Sequence, residues 1–399
     1  MEISQRVGAM QFSPVRRFNR FGFEAEAQGK TVYHLNIGQP DIETPPCFKE
    51  AIDNFDSKVI AYAESGGVNE LLDAMIDYMK NYGMDYGRDD ILITSGGSEA
   101  ITLAFTTILN PGDEAVIAEP FYTNYNTFCS QAGGSLVPIT TKAEDGYVWA
   151  TRELIEAAIT PKTKVICCLT PGNPTGDVLT LEEMKVIGDI AREHDLWILS
   201  DEVYREIVYD GREVTSFGML EEFADRVIMV DSVSKRFSAC GARVGAVISK
   251  NQDLMQGILK LAQGRLCCPT LEQVGAAALY RLDMSYYDEI RSIYKGRRDA
   301  AFEEIQKIPG VVCKKPGGSF YLTCKLPVDS VDDFLMFMLT EFDDNGETVM
   351  FTPAAGFYAT EGLGTDEMRI AYVLEESKMR RGAELIKLGL EAYNRKQGR

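Results

Sequence analysis

Between residues 90 and 250, short apolar runs alternate with amphipathic segments of helical length. The runs are almost continuously apolar, which is typical of strands that are buried on both faces of a sheet. Six such runs occur, at 91–93, 115–117, 164–169, 196–199, 227–230 and 244–248. Two of the intervening segments, 98–109 and 181–194, are predicted to be helices. The alternation predicts a large α/β domain whose mainly parallel sheet is covered by helices.

The chain ends predict a second, smaller α+β domain. Between the two ends, helices are predicted at 68–79, where apolar positions repeat with the period of one helix face, and in 251–308, which is rich in helix formers and leads to a C-terminal unit. The C-terminal unit contains a strand-like segment at 318–324 and closes on a helix at about 375–396. We therefore expect residues 1–50 to form an N-terminal arm and part of the small domain. Residues 51–295 should form the large domain, and residues 296–399 the rest of the small domain.

Composition and charge restrict the class of protein. The chain has 399 residues, of which 45% are hydrophobic and 25% charged, and its formal net charge is −19. This composition is that of a globular protein, and the negative surface repels phosphate backbones and anionic lipids. No apolar segment approaches the roughly 20 residues that span a bilayer, and no signal-peptide pattern opens the chain. We expect neither nucleic acid nor a membrane as a partner.

Cysteine and histidine usage indicates the cellular environment and excludes some chemistry. The nine cysteines show no Cys-x-x-Cys spacing, and their two adjacent pairs lie in apolar contexts. Reduced thiols in a cytoplasmic protein are therefore expected. Only two histidines occur, His34 and His194, so a His-rich metal site or a His-based triad is nearly excluded. We predict no metal.

A lysine with polar neighbours follows one of the predicted strands. Lys235 comes shortly after the run 227–230. Two serines and an arginine accompany it, at Ser232, Ser234 and Arg243. Such a lysine can bond covalently to an aldehyde cofactor, while the hydroxyls and the guanidinium hold the cofactor's phosphate. A lone lysine would more often be a surface residue in a turn, so the prediction depends on these neighbours.

An acid, a tyrosine and an arginine occupy comparable positions. Asp201 and Tyr204 follow the run 196–199. The aspartate could keep a ring nitrogen protonated and the tyrosine could donate to a ring oxygen, although an N-capping Asp before a core Tyr is commoner. Arg369 lies in an apolar strand pattern, where an unpaired guanidinium is costly. It should therefore meet a carboxylate, either of a structural partner or of a substrate.

Three further elements follow strand ends. Segment 95–99 joins a strand to a helix, so its N–H groups could cradle a phosphate, or Ser98 could simply cap the helix. Tyr122 could stack on a flat ring or belong to the core. The segment 171–176 by itself indicates only a turn. Because doubly wound sheets bind ligands beyond the carboxyl ends of their strands, we predict one common site for all these elements.

These motifs follow one another along the chain in the order found in the aspartate aminotransferase family, and the chain therefore resembles that family. Its members are fold type I pyridoxal 5′-phosphate (PLP) enzymes of aminotransferase class I/II. The resemblance rests on Ser-x-Ser-Lys…Gly-x-Arg-x-Gly, Asn-Pro-Thr-Gly and Asp-Glu-Val-Tyr, and it runs from Leu35 to Ile370. It implies the PLP-dependent transferase fold and a PLP-dependent aminotransferase. Its ping-pong reaction would move an amino group between an L-amino acid, with aspartate or glutamate favoured, and a 2-oxo acid. It also implies a homodimer with shared active sites.

The resemblance implies residue roles as well. Lys235 would bond to PLP and then shuttle the substrate's Cα proton, Asp201 would pair with the pyridinium nitrogen, and Tyr204 would contact the phenolic oxygen. The other implied cofactor-binding residues are Gly97, Ser98, Tyr122, which would stack on the ring, Asn173, Ser232, Ser234, Arg243 and, from a second subunit, Tyr62. The substrate's α-carboxylate would be bound by Gly38, Asn173 and Arg369.

The sequence leaves the substrate and the exact reaction open. Three arginines are candidates for binding a side-chain carboxylate, Arg16, Arg17 and Arg265, and each is more typical of a surface or structural residue. The same fold could serve a C–S lyase, a decarboxylase or a synthase, since PLP is the shared electron sink. A PLP-binding regulator without turnover is a remoter alternative. A nicotinamide-dependent dehydrogenase is disfavoured, because no Gly-x-Gly-x-x-Gly follows the first strand.

Overall fold

The computed structural model describes residues 1–8 and 10–398. Over these residues the α-helices are α1 Gln5–Gly8, α2 Asn19–Ala27, α3 Pro46–Asp53, α4 Asn69–Lys80, α5 Gly96–Ile108, α6 Asn124–Gln131, α7 Arg152–Ala158, α8 Leu181–Glu193, α9 Val233–Arg236, α10 Gln252–Arg265, α11 Thr270–Tyr280, α12 Ser285–Ile305, α13 Val331–Thr340 and α14 Glu376–Gln397. The strands are β1 Thr31–His34, β2 Ile91–Thr94, β3 Glu114–Glu119, β4 Ser135–Thr140, β5 Thr163–Leu169, β6 Trp197–Asp201, β7 Val227–Ser232, β8 Gly245–Ile248, β9 Tyr321–Lys325, β10 Glu347–Met350, β11 Thr352–Pro353 and β12 Glu367–Ala371.

A seven-stranded sheet with the order β2-β8-β7-β6-β5-β3-β4 forms the centre of the molecule. Its neighbours pair in parallel, except that β8 runs antiparallel to both β2 and β7. All six apolar runs became strands of this sheet, so the predicted mainly parallel α/β fold is confirmed. The sequence analysis missed β4, an edge strand whose residues are mostly half-buried or exposed. An edge strand buries less surface, so it needs no continuous apolar run.

The predicted helices of this region form close to their expected bounds. Helix α8 begins at Leu181 because Thr180 caps it: the Thr180 hydroxyl accepts from the Glu183 N–H, and the Glu183 carboxylate accepts from the Thr180 N–H. Helix α5 begins at Gly96, directly after β2 and two residues before the predicted start. This early start matters for the site, because it brings the first free N–H groups of α5 to the end of the sheet.

The two chain ends pack together beside the large sheet. Strands β11, β12 and β9 form an antiparallel sheet, and β1 pairs in parallel with β10. One hydrophobic cluster joins Phe18 and Leu35 to the interior of the C-terminal region, including Phe334 and Leu385. A smaller α+β unit from both ends of the chain is therefore present, as predicted. Helix α12 runs unbroken across position 295, and the domain boundaries at 50 and 295 remain predictions.

Two further properties bear on the sequence analysis. None of the described helices combines the length and the apolar character that crossing a bilayer requires. All nine cysteines are free thiols, and five of them are buried.

Candidate active site

A cavity of about 370 Å³ lies beyond the carboxyl ends of β3, β5, β6 and β7, where the small unit faces the large sheet. Most of the predicted site residues line it: Gly38, Gly97, Ser98, Tyr122, Asn173, Asp201, Tyr204, Ser232, Ser234, Lys235, Arg243 and Arg369. Tyr62 does not. Its side chain is 82% exposed, and the single chain leaves it outside the cavity. The common site expected at the strand ends is thus present, formed from segments that lie far apart in sequence.

The cavity is positive although the chain is strongly negative. Its charged lining residues are four cations and one carboxylate: Arg16, Lys235, Arg243, Arg369 and Asp201. The whole chain, in contrast, carries a formal net charge of −19. A concave positive site in a negative protein concentrates anions locally, which suits a phosphate and carboxylates.

Lys235 lies on the short helix α9, directly after β7. The hydroxyl of Ser232 accepts from the Ser234 N–H at 3.1 Å and so fixes the start of this helix. The Lys235 Nζ donates to the backbone oxygen of Gly38 at 3.0 Å and lies 3.9 Å from the Sγ of Cys240. In the part of the chain that the structure describes, no carboxylate pairs with this ammonium group. Its amine therefore faces the cavity, free to meet a ligand.

Asp201 is the last residue of β6 and is almost completely buried. Its two carboxylate oxygens accept from the Tyr125 hydroxyl at 3.3 Å and from the Val203 N–H at 3.4 Å. Burial raises the pKa of Asp201 to about 6, because desolvation outweighs these hydrogen bonds. No cation among residues 1–8 and 10–398 forms an ion pair with it. A cationic group in the cavity would satisfy this carboxylate.

Hydroxyls, a guanidinium and helix N–H groups converge at one end of the cavity. The Ser232 and Ser234 hydroxyl oxygens lie 2.8 Å apart, and the Arg243 guanidinium donates to two backbone carbonyls at 3.0 and 3.3 Å. Gly96 has a φ of +75°, and a Cβ there would lie 2.3 Å from Arg243 Nη2. Glycine is thus required for helix α5 to begin beside the guanidinium. Such an arrangement binds a phosphate.

Arg369 on β12 is 2% exposed. Its Nη1 donates to Asn173 Oδ1 at 3.0 Å and its Nη2 donates to the Asn36 backbone oxygen at 2.6 Å, while its Nε has no partner. The guanidinium lies 4.4 Å from the ring centre of Tyr321 and 4.9 Å from that of Phe357. Burial lowers its pKa, because no carboxylate compensates for the lost water. The carboxylate predicted for this arginine is therefore not a structural partner.

Tyrosine hydroxyls complete the polar lining. The Tyr204 hydroxyl donates to the Tyr321 hydroxyl at 3.1 Å, and the Tyr122 hydroxyl accepts from Asn124 Nδ2 at 2.7 Å. Burial raises the pKa of Tyr122 to about 12 and that of Tyr204 well above its ordinary value. Both phenols therefore stay protonated at neutral pH and can donate hydrogen bonds.

Three contributors escaped the sequence analysis: Asn36, Tyr125 and Tyr321. Tyr125 lies three residues after Tyr122, so helical spacing could have placed the two close together. Asn36 belongs to the segment before Gly38, but its contribution to Arg369 is a backbone oxygen, which no side-chain pattern reveals. Tyr321 is one of several aromatic residues in the small unit, and its sequence context is that of an ordinary buried strand.

The arginines considered for a side-chain carboxylate have different surroundings. Arg17 pairs with Asp332 at 2.7 Å and Arg265 pairs with Glu99 at 3.1 Å, and neither lines the cavity. Arg16 does line it. Within residues 1–8 and 10–398, no group of three or more His, Cys, Asp or Glu side chains is arranged to hold a metal ion.

A mainly parallel, helix-covered sheet that brings a lysine, a buried carboxylate and an anion cradle to one cavity is the arrangement of a fold type I PLP enzyme. The sequence also matches the model of the family "Aminotransferase class I and II" over residues 30–386. Since the match covers most of the chain, the protein belongs to this family and is a PLP-dependent aminotransferase.

Similar proteins of known identity agree with this assignment. The aspartate aminotransferase of Bacillus subtilis (strain 168) is 29% identical, over 99% of this chain and 100% of the relative. A single mutant of the aspartate aminotransferase of Thermus thermophilus superposes with a TM-score of 0.89 at 26% identity, covering 98% of this chain and all of the other. The alanine aminotransferase of Pyrococcus furiosus gives a TM-score of 0.86 at 29% identity, covering 97% and 100%. The predicted family, fold, cofactor and activity class are confirmed.

Proposed function

We propose that the cavity is the active site and that the enzyme transfers the amino group of aspartate or glutamate to a 2-oxo acid such as 2-oxoglutarate. The observation that carries this proposal is the charge of the cavity wall, four cations against one carboxylate. The phosphate of PLP would lie at Arg243 and a single substrate carboxylate at Arg369, which leaves Arg16 without an anionic group. A dicarboxylic substrate fits the charge of the cavity wall better. Relatives named aspartate aminotransferases support the same choice.

The residues present fit PLP. The buried Asp201 carboxylate lacks a cation, as expected of a group that meets a protonated ring nitrogen. The cradle formed by Ser232, Ser234, Arg243 and the first N–H groups of α5, at Gly97 and Ser98, fits a phosphate. Bound PLP supplies an electron sink for the bonds at the substrate's Cα.

Each residue then has a defined task. Lys235 would hold the cofactor through its amine and would carry the proton that leaves and rejoins the substrate's Cα. Asp201 would place a negative charge in a desolvated position, where it would keep the ring nitrogen of the cofactor protonated. Tyr204 and Asn173 would donate to the ring oxygen, and Tyr122 would pack against the ring face.

The substrate's α-carboxylate meets Arg369. Two of its N–H groups already bond to Asn173 Oδ1 and the Asn36 backbone oxygen, which fixes the plane of the guanidinium. Its burial strengthens the attraction to an anion, because little water screens the charge. The backbone of Gly38, whose oxygen is within reach of Lys235 Nζ, borders the same space.

We further propose a homodimer in the cytoplasm, with Tyr62 reaching the partner's cofactor phosphate. Val59, Ile60 and Tyr62 are 69%, 64% and 82% exposed, so three large apolar side chains close together in sequence are uncovered in the single chain. A second copy that covers them would bury this surface. The free thiols fit a reducing compartment.

A visible spectrum of the purified protein with PLP tests the proposed reaction. Aspartate should bleach the yellow colour as the amino group moves to the cofactor, and 2-oxoglutarate should restore it. A yellow protein that responds to alanine or aromatic amino acids but not to aspartate would contradict the proposed substrate. A protein that stays yellow with every amino acid would contradict the assignment of the cavity as the transamination site.

A further inference from the structure

One arginine that lines the cavity is accounted for by neither the cofactor nor the α-carboxylate. Arg243 lies at the phosphate cradle and Arg369 beside Asn173, so both have a ligand group in the proposed function. Arg16 lines the same cavity from the N-terminal segment. Its side chain makes no hydrogen bond or ion pair with any residue in 1–8 or 10–398. An arginine at the wall of an active site without an intramolecular carboxylate is available to an anionic ligand.

The segment that carries Arg16 is held against the small unit. Residues Pro14–Arg16 form a 3₁₀ turn, and a Cβ at Gly356 would lie 2.4 Å from the Cβ of Pro14. Only a residue without a side chain permits this approach. The next residue, Arg17, pairs with Asp332 at 2.7 Å and anchors the segment from the other side. The position of Arg16 is therefore determined by its neighbours on both sides.

The same segment is connected to Arg369. The Asn36 side chain donates to the Val15 backbone oxygen at 3.4 Å, and the Asn36 backbone oxygen accepts from Arg369 Nη2 at 2.6 Å. Asn36 thus places the turn of Arg16 and the guanidinium of Arg369 in one frame. Two arginines held in fixed relation at one cavity match a ligand with two carboxylates.

We propose that Arg16 binds the side-chain carboxylate of a dicarboxylic substrate and thereby determines the specificity of the enzyme. This inference rests on the proposed function, because it assigns the α-carboxylate to Arg369. Of the three arginines considered from the sequence, Arg16 is the one that lines the cavity and lacks a carboxylate partner within the described chain.

Two variants of Arg16 and one control test the proposal. Arg16→Gln removes the charge, Arg16→Lys keeps the charge without the planar fork, and Arg20→Gln changes an exposed arginine that lies outside the cavity. The amino-donor half-reaction is measured alone, without a 2-oxo acid, since 2-oxoglutarate itself has two carboxylates. For aspartate we expect Arg16→Gln to lower kcat/KM about 10- to 100-fold, Arg16→Lys to lower it less, and Arg20→Gln to leave it unchanged. For alanine all three variants should equal the parent within about twofold.

A binding experiment gives a second readout that needs no turnover. Calorimetry of the PLP-loaded protein measures the affinity for succinate, an unreactive dicarboxylate. Arg16→Gln should weaken this affinity about 10- to 100-fold, as it does kcat/KM for aspartate. The weakening should be absent for propionate, which has a single carboxylate. The variant should also keep the PLP affinity of the parent protein.

The possible failures are distinguishable. If Arg16→Gln lowers aspartate and alanine turnover equally, Arg16 positions the segment and does not select substrates. If Arg16→Gln changes neither, the side-chain carboxylate binds elsewhere. Either result overturns this inference and leaves the aminotransferase activity intact. A parent enzyme that uses alanine but not aspartate would overturn both the inference and the proposed substrate.

Discussion

In each of two pairs of adjacent residues, Asp201-Glu202 and Lys235-Arg236, the first charged side chain lines the cavity and the second is buried in the core. Asp201 and Lys235 line the cavity, and neither has an oppositely charged partner in the described part of the chain. Glu202 and Arg236 are fully buried on the other side. At the end of β6 and again on helix α9, two adjacent side chains point to different sides, so a single residue separates a functional charge from a structural one.

The core charges are paired within the protein. Glu202 accepts from Arg205 Nε at 2.7 Å, and Arg236 pairs with Asp231 and, at 3.0 Å, with Glu206. A buried charge without a partner is costly, so the core satisfies these groups internally. The cavity leaves its own charges for ligands. The comparison teaches that substitutions on the two sides should separate into losses of function and losses of stability.

The largest expected effect is on the cavity side, at Lys235. We expect Lys235→Ala to lower kcat about 10⁴-fold or more, because it removes both the covalent attachment and the proton carrier. The free energy of unfolding of the PLP-free protein should stay within about 1 kcal/mol of the parent value, since this lysine has no ion pair to lose. Steady-state kinetics and urea denaturation measure the two quantities. Retained transamination would disprove the mechanism.

On the core side, Arg236→Gln should lower the free energy of unfolding by about 3–5 kcal/mol, because Glu206 loses its buried cation and Asp231 keeps only Arg205, at 3.5 Å. Urea denaturation at neutral pH checks the loss. The matched control is Arg88→Gln, which breaks an exposed pair with Asp73 and should cost less than about 1 kcal/mol. Equal losses in the two variants would contradict the distinction between core and surface pairs.

Asp201 gives a pH-dependent test. Its pKa is about 6 in the folded protein and about 3.9 in an unfolded chain, so between these values the native state holds a proton that the unfolded state has lost. The stability that Asp201 contributes to the PLP-free protein therefore falls as the pH rises from about 4 to about 6, by up to about 3 kcal/mol.

Asp201→Asn should remove this component. In PLP-free protein, the difference in unfolding free energy between variant and parent should grow in favour of the variant as the pH rises through that window. Denaturation curves at about pH 4.5 and pH 7.5 give the double difference, in which other titrating groups cancel. A constant difference would show that the carboxylate is compensated within the protein.

The smallest expected effect is on substrate binding at Arg369. Arg369→Ala removes a charge-assisted, two-point contact, and we expect it to weaken binding of aspartate by about 1.5–3 kcal/mol. Spectral titration of the PLP-loaded variant measures the dissociation constant, and PLP affinity serves as the control. An unchanged constant would mean that the α-carboxylate lies elsewhere.

The sequence predicts the sheet because burial on both faces demands continuous apolar runs, and it predicts the common site because parallel strands end at one edge. Lys235, Asp201 and Arg369 were identified from their places at or beside such strands. Edge strand β4 was missed because partial exposure relaxes that demand. The dimer residues and the domain boundaries stay predictions.

What the sequence does not reveal depends on contacts between distant segments. The sequence does not distinguish Arg16, Arg17 and Arg265, but their partners in space do. Arg17 forms an ion pair with Asp332 and Arg265 with Glu99, whereas Arg16 lines the cavity. The backbone oxygen of Asn36 and the hydroxyl of Tyr125 likewise acquire their roles through packing. Their side-chain chemistry alone carries no signal.

The central claim is that Lys235 is the residue of the cavity to which the cofactor attaches covalently. Its most direct test is borohydride reduction of the PLP-loaded protein, followed by peptide mapping with mass spectrometry. We predict a single modified peptide that carries the reduced cofactor on Lys235, and no modified peptide from Lys235→Ala. A cofactor attached to another lysine in the parent protein, or the same modified lysine in both proteins, would contradict the account.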